Sequence, residues 1–107
     1  MKRLPPIPRV VRLPCGPIKV VSMKEPRLEG KRIAGASDWG QRRIVLDNSL
    51  GRTASWLTLE HEKVHAILAD AGIILPKKHV EDICNAIAAA RVAEMVSPKS
   101  RSRRKKK

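Results

Sequence analysis

Two histidines four residues apart, with a glutamate directly after the first, occupy one short run of a 107-residue chain: His61-Glu62-Lys63-Val64-His65. On an α-helix, residues i and i+4 lie one turn apart at nearly the same azimuth. Both imidazoles then project together and can reach a single ion. Neutral imidazole nitrogens suit zinc, which prefers tetrahedral ligation by N, S and O. Glu62 stands one step round the helix, beside such an ion rather than on it. A carboxylate there can take a proton from an activated water and give it to a leaving amine. The spacing therefore points to zinc-assisted peptide hydrolysis. The plain alternative is two ordinary helix histidines and a solvated glutamate. Three fixed positions match by chance about once in 8,000 windows, so the context has to decide. The run falls in a helical pattern and uses two of only three histidines in the chain. It also sets both on the face of Leu57, Val64 and Leu68, read here as the core face, where unpartnered imidazoles would be costly.

A hydrolytic zinc site needs a third protein ligand and an open position. A ligand six residues beyond the second histidine, after a glycine, is excluded: those positions hold Ala71 and Leu68. Asp70 points away from the histidine face. The following helix offers His79, Glu81, Asp82 and Cys84. Glu81, at the edge of the apolar face one turn before Cys84, is the first choice, and His79 is the second. The competing role for Glu81 is that of a first-turn acid held by the helix dipole. Cys84, set among Val80, Ile83 and Ile87, reads as a buried thiol.

The elements that must position these residues divide the chain in two. Arg9 to Leu13 and Ile18 to Ser22 are β-branched runs around Pro14-Cys15-Gly16-Pro17, a strand–turn–strand pattern. Gly30 to Ala36 is a candidate third strand, Asp38-Trp39-Gly40 a turn, and Arg42 to Asp47 the clearest strand. From Thr53 the period becomes helical, with Thr53 or Ser55 as cap and Gly72 as terminator. Pro76 opens a second helix, whose apolar face is Val80, Ile83, Cys84, Ile87 and Ala88 and which Ser97-Pro98 ends. The expected fold is α+β: a small twisted antiparallel sheet of about three strands, then two antiparallel helices carrying the zinc site. Trp56 reads as core and Trp39 as a cap over it. The strand edge near Ile44 to Leu46 is a candidate for accepting an extended peptide by strand addition.

The run Thr58-Leu59-Glu60-His61-Glu62-Lys63-Val64-His65-Ala66-Ile67-Leu68 resembles the small phage and bacterial metallopeptidase-like proteins of the minigluzincin type, including the ImmA/IrrE group. Glu81-Asp82-Ile83-Cys84-Asn85-Ala86-Ile87-Ala88 is similar to the Glu-x-x-Ala-Asn-x-Phe-Ala helix of that family, with Cys84 for Ala and Ile87 for Phe. The resemblance spans about residues 30–95. It implies a twisted antiparallel sheet packed on the two helices, and Glu81 as third ligand. Related peptidases often stabilise the oxyanion with a Tyr or His; this chain has no Tyr. His79, or Arg42 or Arg43 from the neighbouring strand, is the candidate stabiliser. Loss of such a donor lowers rates by roughly 10² to 10³.

The net charge of +13 is confined to the ends. Residues 1–24 carry six basic side chains and no acid, 99–107 carry seven and no acid, and 25–98 balance ten against ten. The expected organisation is a Pro-rich basic arm (1–8), a minimal zincin-like domain (9–96) and a disordered basic tail (97–107). Lys99, Arg101, Arg103, Arg104, Lys105, Lys106 and Lys107 would bind nucleic acid non-specifically, or else only solubilise the chain. Two isolated cysteines, a broken N-terminal apolar run and no long apolar stretch point to the cytoplasm, that of the host if the chain is phage-encoded, and to no membrane partner. The expectation is a zinc metallopeptidase acting on a protein or peptide substrate, brought near nucleic acid by its basic ends. The rival is a catalytically weak or inactive scaffold that binds nucleic acid or another protein. Nothing in the sequence fixes the oligomeric state.

Overall fold

The computed structural model describes residues 4–14, 16–38 and 40–96. Cys15, Trp39 and the basic tail with Lys99, Arg101, Arg103, Arg104, Lys105, Lys106 and Lys107 lie outside them.

Alternation of buried and exposed residues builds the first hairpin. Strand β1 (Val10–Leu13) buries Val11 and Leu13 and exposes Val10 and Arg12. It pairs antiparallel with β2 (Gly16–Met23), which turns Ile18 into the core. Strand β6 (Arg43–Asp47) reads differently: Ile44, Val45, Leu46 and Asp47 are all buried. Such an unbroken run fits a strand covered on both faces. Ile44 and Leu46 join Leu59 in the core, while Val45 lines a hollow with Met23, Pro26 and Ile33.

The fold is α+β, as expected, but the sheet is mixed and has four strands in the order β1-β2-β6-β5, with β5 at Gly35–Asp38. Strands β2 and β6 run parallel; β5 pairs antiparallel with β6. A two-stranded hairpin, β3 (Arg27–Leu28) and β4 (Lys31–Arg32), stands apart from it. The expectation of a wholly antiparallel sheet therefore needs correction. Parallel neighbours require a crossover, and residues 24–42 provide it through β3, β4 and β5. No turn signature marks such a long-range pairing, whereas hairpins announce themselves locally.

Helix α1 (Arg52–Asp70) begins at Gly51, whose carbonyl accepts from Ser55 N, with no side-chain cap. Thr53 and Ser55 thus lie inside the helix rather than capping it. Its C-terminus is a Schellman turn: Ile73 N donates to Leu68 O and Gly72 N to Ala69 O, with Gly72 at φ 70°. Glycine holds that left-handed conformation without strain. Helix α2 (Lys77–Val96) follows Pro76, whose carbonyl accepts from Val80 N. Pro76 thus stands just before the helix rather than within it.

The buried faces are rotated from those expected. α1 buries Trp56, Leu59, Glu60, Val64 and Ala66, while Leu57 and Ile67 are each 37% exposed. The helix lies between the sheet and α2, so it buries two sides. α2 buries the narrow stripe Cys84, Ala88 and Val92, leaving Ile83 and Ile87 at the rim. Small residues at that stripe let the helices approach closely. They run antiparallel, as the cross-helix bonds show: Glu60 to Arg91, His61 to Asn85 and His65 to Glu81. The buried Glu60 carboxylate is held by Lys63 at 3.1 Å and Arg91 at 2.9 Å, which ties α1 to α2.

Residues 4–8 have no regular structure, yet they are packed against the domain. Leu4 is buried, Arg52 donates to Leu4 O, and Trp56 Nε1 donates to Pro5 O at 2.7 Å. Among the described residues, no helix is long and apolar enough to cross a membrane.

Candidate metal centre

Helical geometry delivers the first two groups. His61 and His65 stack one turn apart on α1, with ring centroids 4.9 Å apart and Nε2 atoms 3.2 Å apart. The antiparallel docking of α2 delivers the third. Glu81 Oε1 lies 3.3 Å from His61 Nε2, and Glu81 Oε2 lies 2.8 Å from His65 Nε2. Donors about 2.0–2.1 Å from a tetrahedral zinc would be about 3.3 Å from each other. Two of the three separations match that edge; the His65–Glu81 edge, at 2.8 Å, is shorter.

The polarity of the groups also fits a cation. Asn85 Oδ1 lies 2.8 Å from His61 Nδ1, so Nδ1–H donates, and in the neutral ring Nε2 keeps its lone pair. That lone pair faces the Glu81 carboxylate, also an acceptor. A single N–H on His65 satisfies only one of these contacts. A metal ion among these acceptors would balance the rest.

Glu62 sits beside the triad, half-buried. Its Oε1 accepts from Ser37 Oγ at 2.8 Å, and the same hydroxyl lies 3.1 Å from the Glu62 main-chain oxygen. Ser37 belongs to β5, one of the two edge strands of the four-stranded sheet. Close approach of β5 to α1 makes this contact possible, and Gly35 allows that approach. A Cβ at Gly35 would stand 2.6 Å from Thr58 Cγ2 and 2.8 Å from Val45 O. Glu62 lines two clefts, one with Ile33, Thr58, His61 and Asn85, the other with Leu28, Ser37, His65 and Ala69. Gly35 borders both. Asp47 N donates to Ala34 O, so strand alternation turns the backbone groups of Gly35 and Ser37 to the open edge. The strand edge near Ile44–Leu46, by contrast, is interior: β6 is flanked by β2 and β5.

Cys84 lies beneath the histidines, fully buried, with its sulfur within 4.8 Å of one ring nitrogen of each. Burial first, then the charges of Glu81 and Glu62, push its thiol up to about 11. The remaining candidates lie elsewhere. His79 is exposed and about 200° round α2 from Glu81, so the fold does not bring it to the site. Arg43 is engaged by Asp38 at 3.2 Å, and Arg42 approaches Asp70 at 3.8 Å. Asn85 stood in the sequence as a matched position of the family-like helix without an assigned role, and Ser37 was not singled out. Asn85 had a legible signal, four residues from Glu81 on one helix face; Ser37, 25 residues before its partner on another element, had none.

Comparison with protein-family models, with curated proteins and with solved structures gives no match.

Proposed function

We propose that this chain is a zinc-dependent peptidase acting on an extended segment of a protein substrate. The observation that carries the reading is the convergence of His61 Nε2, His65 Nε2 and the Glu81 carboxylate within 3.3 Å, beside Glu62. When bound, zinc polarises the scissile carbonyl and acidifies a water molecule. Glu62 takes the proton from the attacking water and passes it to the leaving amine. Ser37 holds the Glu62 carboxylate in place, and Asn85 fixes the tautomer and orientation of His61. The free backbone groups of Gly35 and Ser37 bind the substrate as an added strand across the clefts flanking Glu62.

A second reading has its own support. The chain contains no Tyr, His79 faces away, and Arg43 is engaged by Asp38. A scaffold that keeps the metal while contributing little catalysis fits these facts, with binding of nucleic acid or another protein as its role. In either case the basic ends would draw the chain to nucleic acid, where a DNA-bound protein is a natural substrate. Cys84 is a free thiol, and we infer a reducing cytoplasm as the setting, that of the host for a phage-encoded chain.

The test has two stages. Purified protein should contain one zinc per chain, and a His61→Ala, His65→Ala variant should contain none. Equal zinc in both would remove the site from consideration. Against a broad protein panel, wild type should cleave and Glu62→Gln should not. Zinc binding without cleavage would select the scaffold.

A further inference from the structure

We propose that Cys84 is an alternative third ligand for the metal held by His61 and His65. The centre then has an outer donor set completed by Glu81 and an inner set completed by the Cys84 thiolate. The proposal rests on the metal-binding reading above and adds a second state to it.

Glu81 and Cys84 are three residues apart on α2, hence one turn apart and about 60° from each other round the helix. Both face the histidine pair, but at different depths. The Glu81 side chain is 41% exposed, whereas Cys84 is 0% exposed. The donor atoms of His61, His65 and Cys84 lie within 4.8 Å of one another. A tetrahedral zinc with ordinary Zn–N and Zn–S lengths needs N···S separations of about 3.5 Å. The contraction required is on the order of 1 Å, within reach of a small rotation about Cα–Cβ of Cys84.

The two sets differ in chemistry. Glu81 is a hard oxygen donor at the solvent side, next to the clefts that Glu62 lines. Cys84 is a soft donor on the buried side, favoured by zinc and by more thiophilic ions such as cadmium. Formation of the inner set breaks the S–H bond, forms a metal–sulfur bond and releases the proton to water; no electrons are transferred. An ion drawn inward leaves the groups that serve hydrolysis. The inner set is therefore a closed, storage-like state, and the outer set is the open one.

Cobalt(II) titrated into the full chain tests this directly. Its visible d–d bands report binding at the histidines, and a near-ultraviolet thiolate-to-cobalt charge-transfer band reports sulfur. Wild type should show both. Cys84→Ala should keep the visible bands and lose the charge-transfer band. Glu81→Gln should still bind cobalt, with a charge-transfer band at least about twofold stronger per ion, since the inner set no longer competes with a carboxylate. Visible bands without a charge-transfer band in wild type would overturn the proposal while leaving the metal site intact. So would a charge-transfer band that survives in Cys84→Ala, because another thiol would then be its source. Should Cys84→Ala fail to fold, Glu81→Gln decides the matter: loss of all cobalt binding there overturns the inner set. No visible bands in wild type would overturn both this proposal and the metal site.

Discussion

Asn85 Oδ1 sits 2.8 Å from His61 Nδ1, joining the residue after Cys84 on α2 to the first histidine on α1. This contact sets which ring nitrogen of His61 carries the proton, and so leaves Nε2 free to ligate. Asn85→Leu removes the acceptor without touching either metal-facing nitrogen. Zinc affinity, measured by competition with a chromophoric chelator, should weaken roughly 10- to 100-fold. Because Asn85 is exposed, the circular dichroism spectrum should not change. Unaltered affinity would mean that helix packing alone orients His61.

Ser37→Ala isolates the hold on Glu62. One hydrogen bond is worth about 1 kcal/mol, so kcat should fall about fivefold, while KM and zinc content stay the same. Glu62→Gln should lower kcat roughly 100- to 10,000-fold, again with full zinc. A Ser37→Ala variant that loses metal would show that the hydroxyl acts on the site's architecture rather than on the base.

Gly35→Ala tests the approach of β5 to α1. The new methyl would meet Thr58 Cγ2 at 2.6 Å and a backbone oxygen at 2.8 Å, and the latter cannot rotate away. Urea denaturation should show a loss of about 1–3 kcal/mol. Because β5 carries Ser37, cleavage should fall by more than in Ser37→Ala.

Arg91→Ala tests the link between the helices. It leaves the buried Glu60 carboxylate with Lys63 as its remaining ion-pair partner. Arg91 is itself about half exposed, with a side-chain exposure of 57%, which reduces its contribution. A loss of about 1–2 kcal/mol in urea is expected. Zinc affinity should also fall, since the register of α2 on α1 places Glu81. Unchanged affinity with lowered stability would show that the lower helix contacts suffice for the site.

Asp47 gives stability a pH dependence of predictable sign. The Ser49 backbone N–H and hydroxyl, aided by Arg32, hold its carboxyl below the ordinary value of 3.8, against the opposing effect of burial. A carboxyl depressed on folding contributes stability that is fully present above its unfolded value and is lost as pH falls through its folded value. Asp47→Asn should therefore be less stable than wild type near neutral pH. The difference should shrink as pH drops below about 3.8 and vanish under stronger acid. A constant difference across that range would assign the effect to packing.

The chain's local chemistry carried the fold class and the two helices. Helical spacing placed His61, Glu62 and His65 together, and the short link after Gly72 brought α2 back antiparallel. Glu81 was also legible, because a residue one turn before a buried position on the next helix faces its neighbour. The parallel pairing of β2 with β6 was not, since it joins segments about 24 residues apart with no local turn to announce it. Nor was the edge position of β5 or the Ser37–Glu62 contact; the burial of Cys84 was legible from its apolar neighbours, but its place beneath the histidines was not. Local periodicity is written by neighbours along the chain and can be read from them. Which strand forms the edge, which face of α1 turns to the sheet and which side chain on α2 lies deepest depend on how the elements dock. Those distances of a few ångströms between remote residues were decided by tertiary packing.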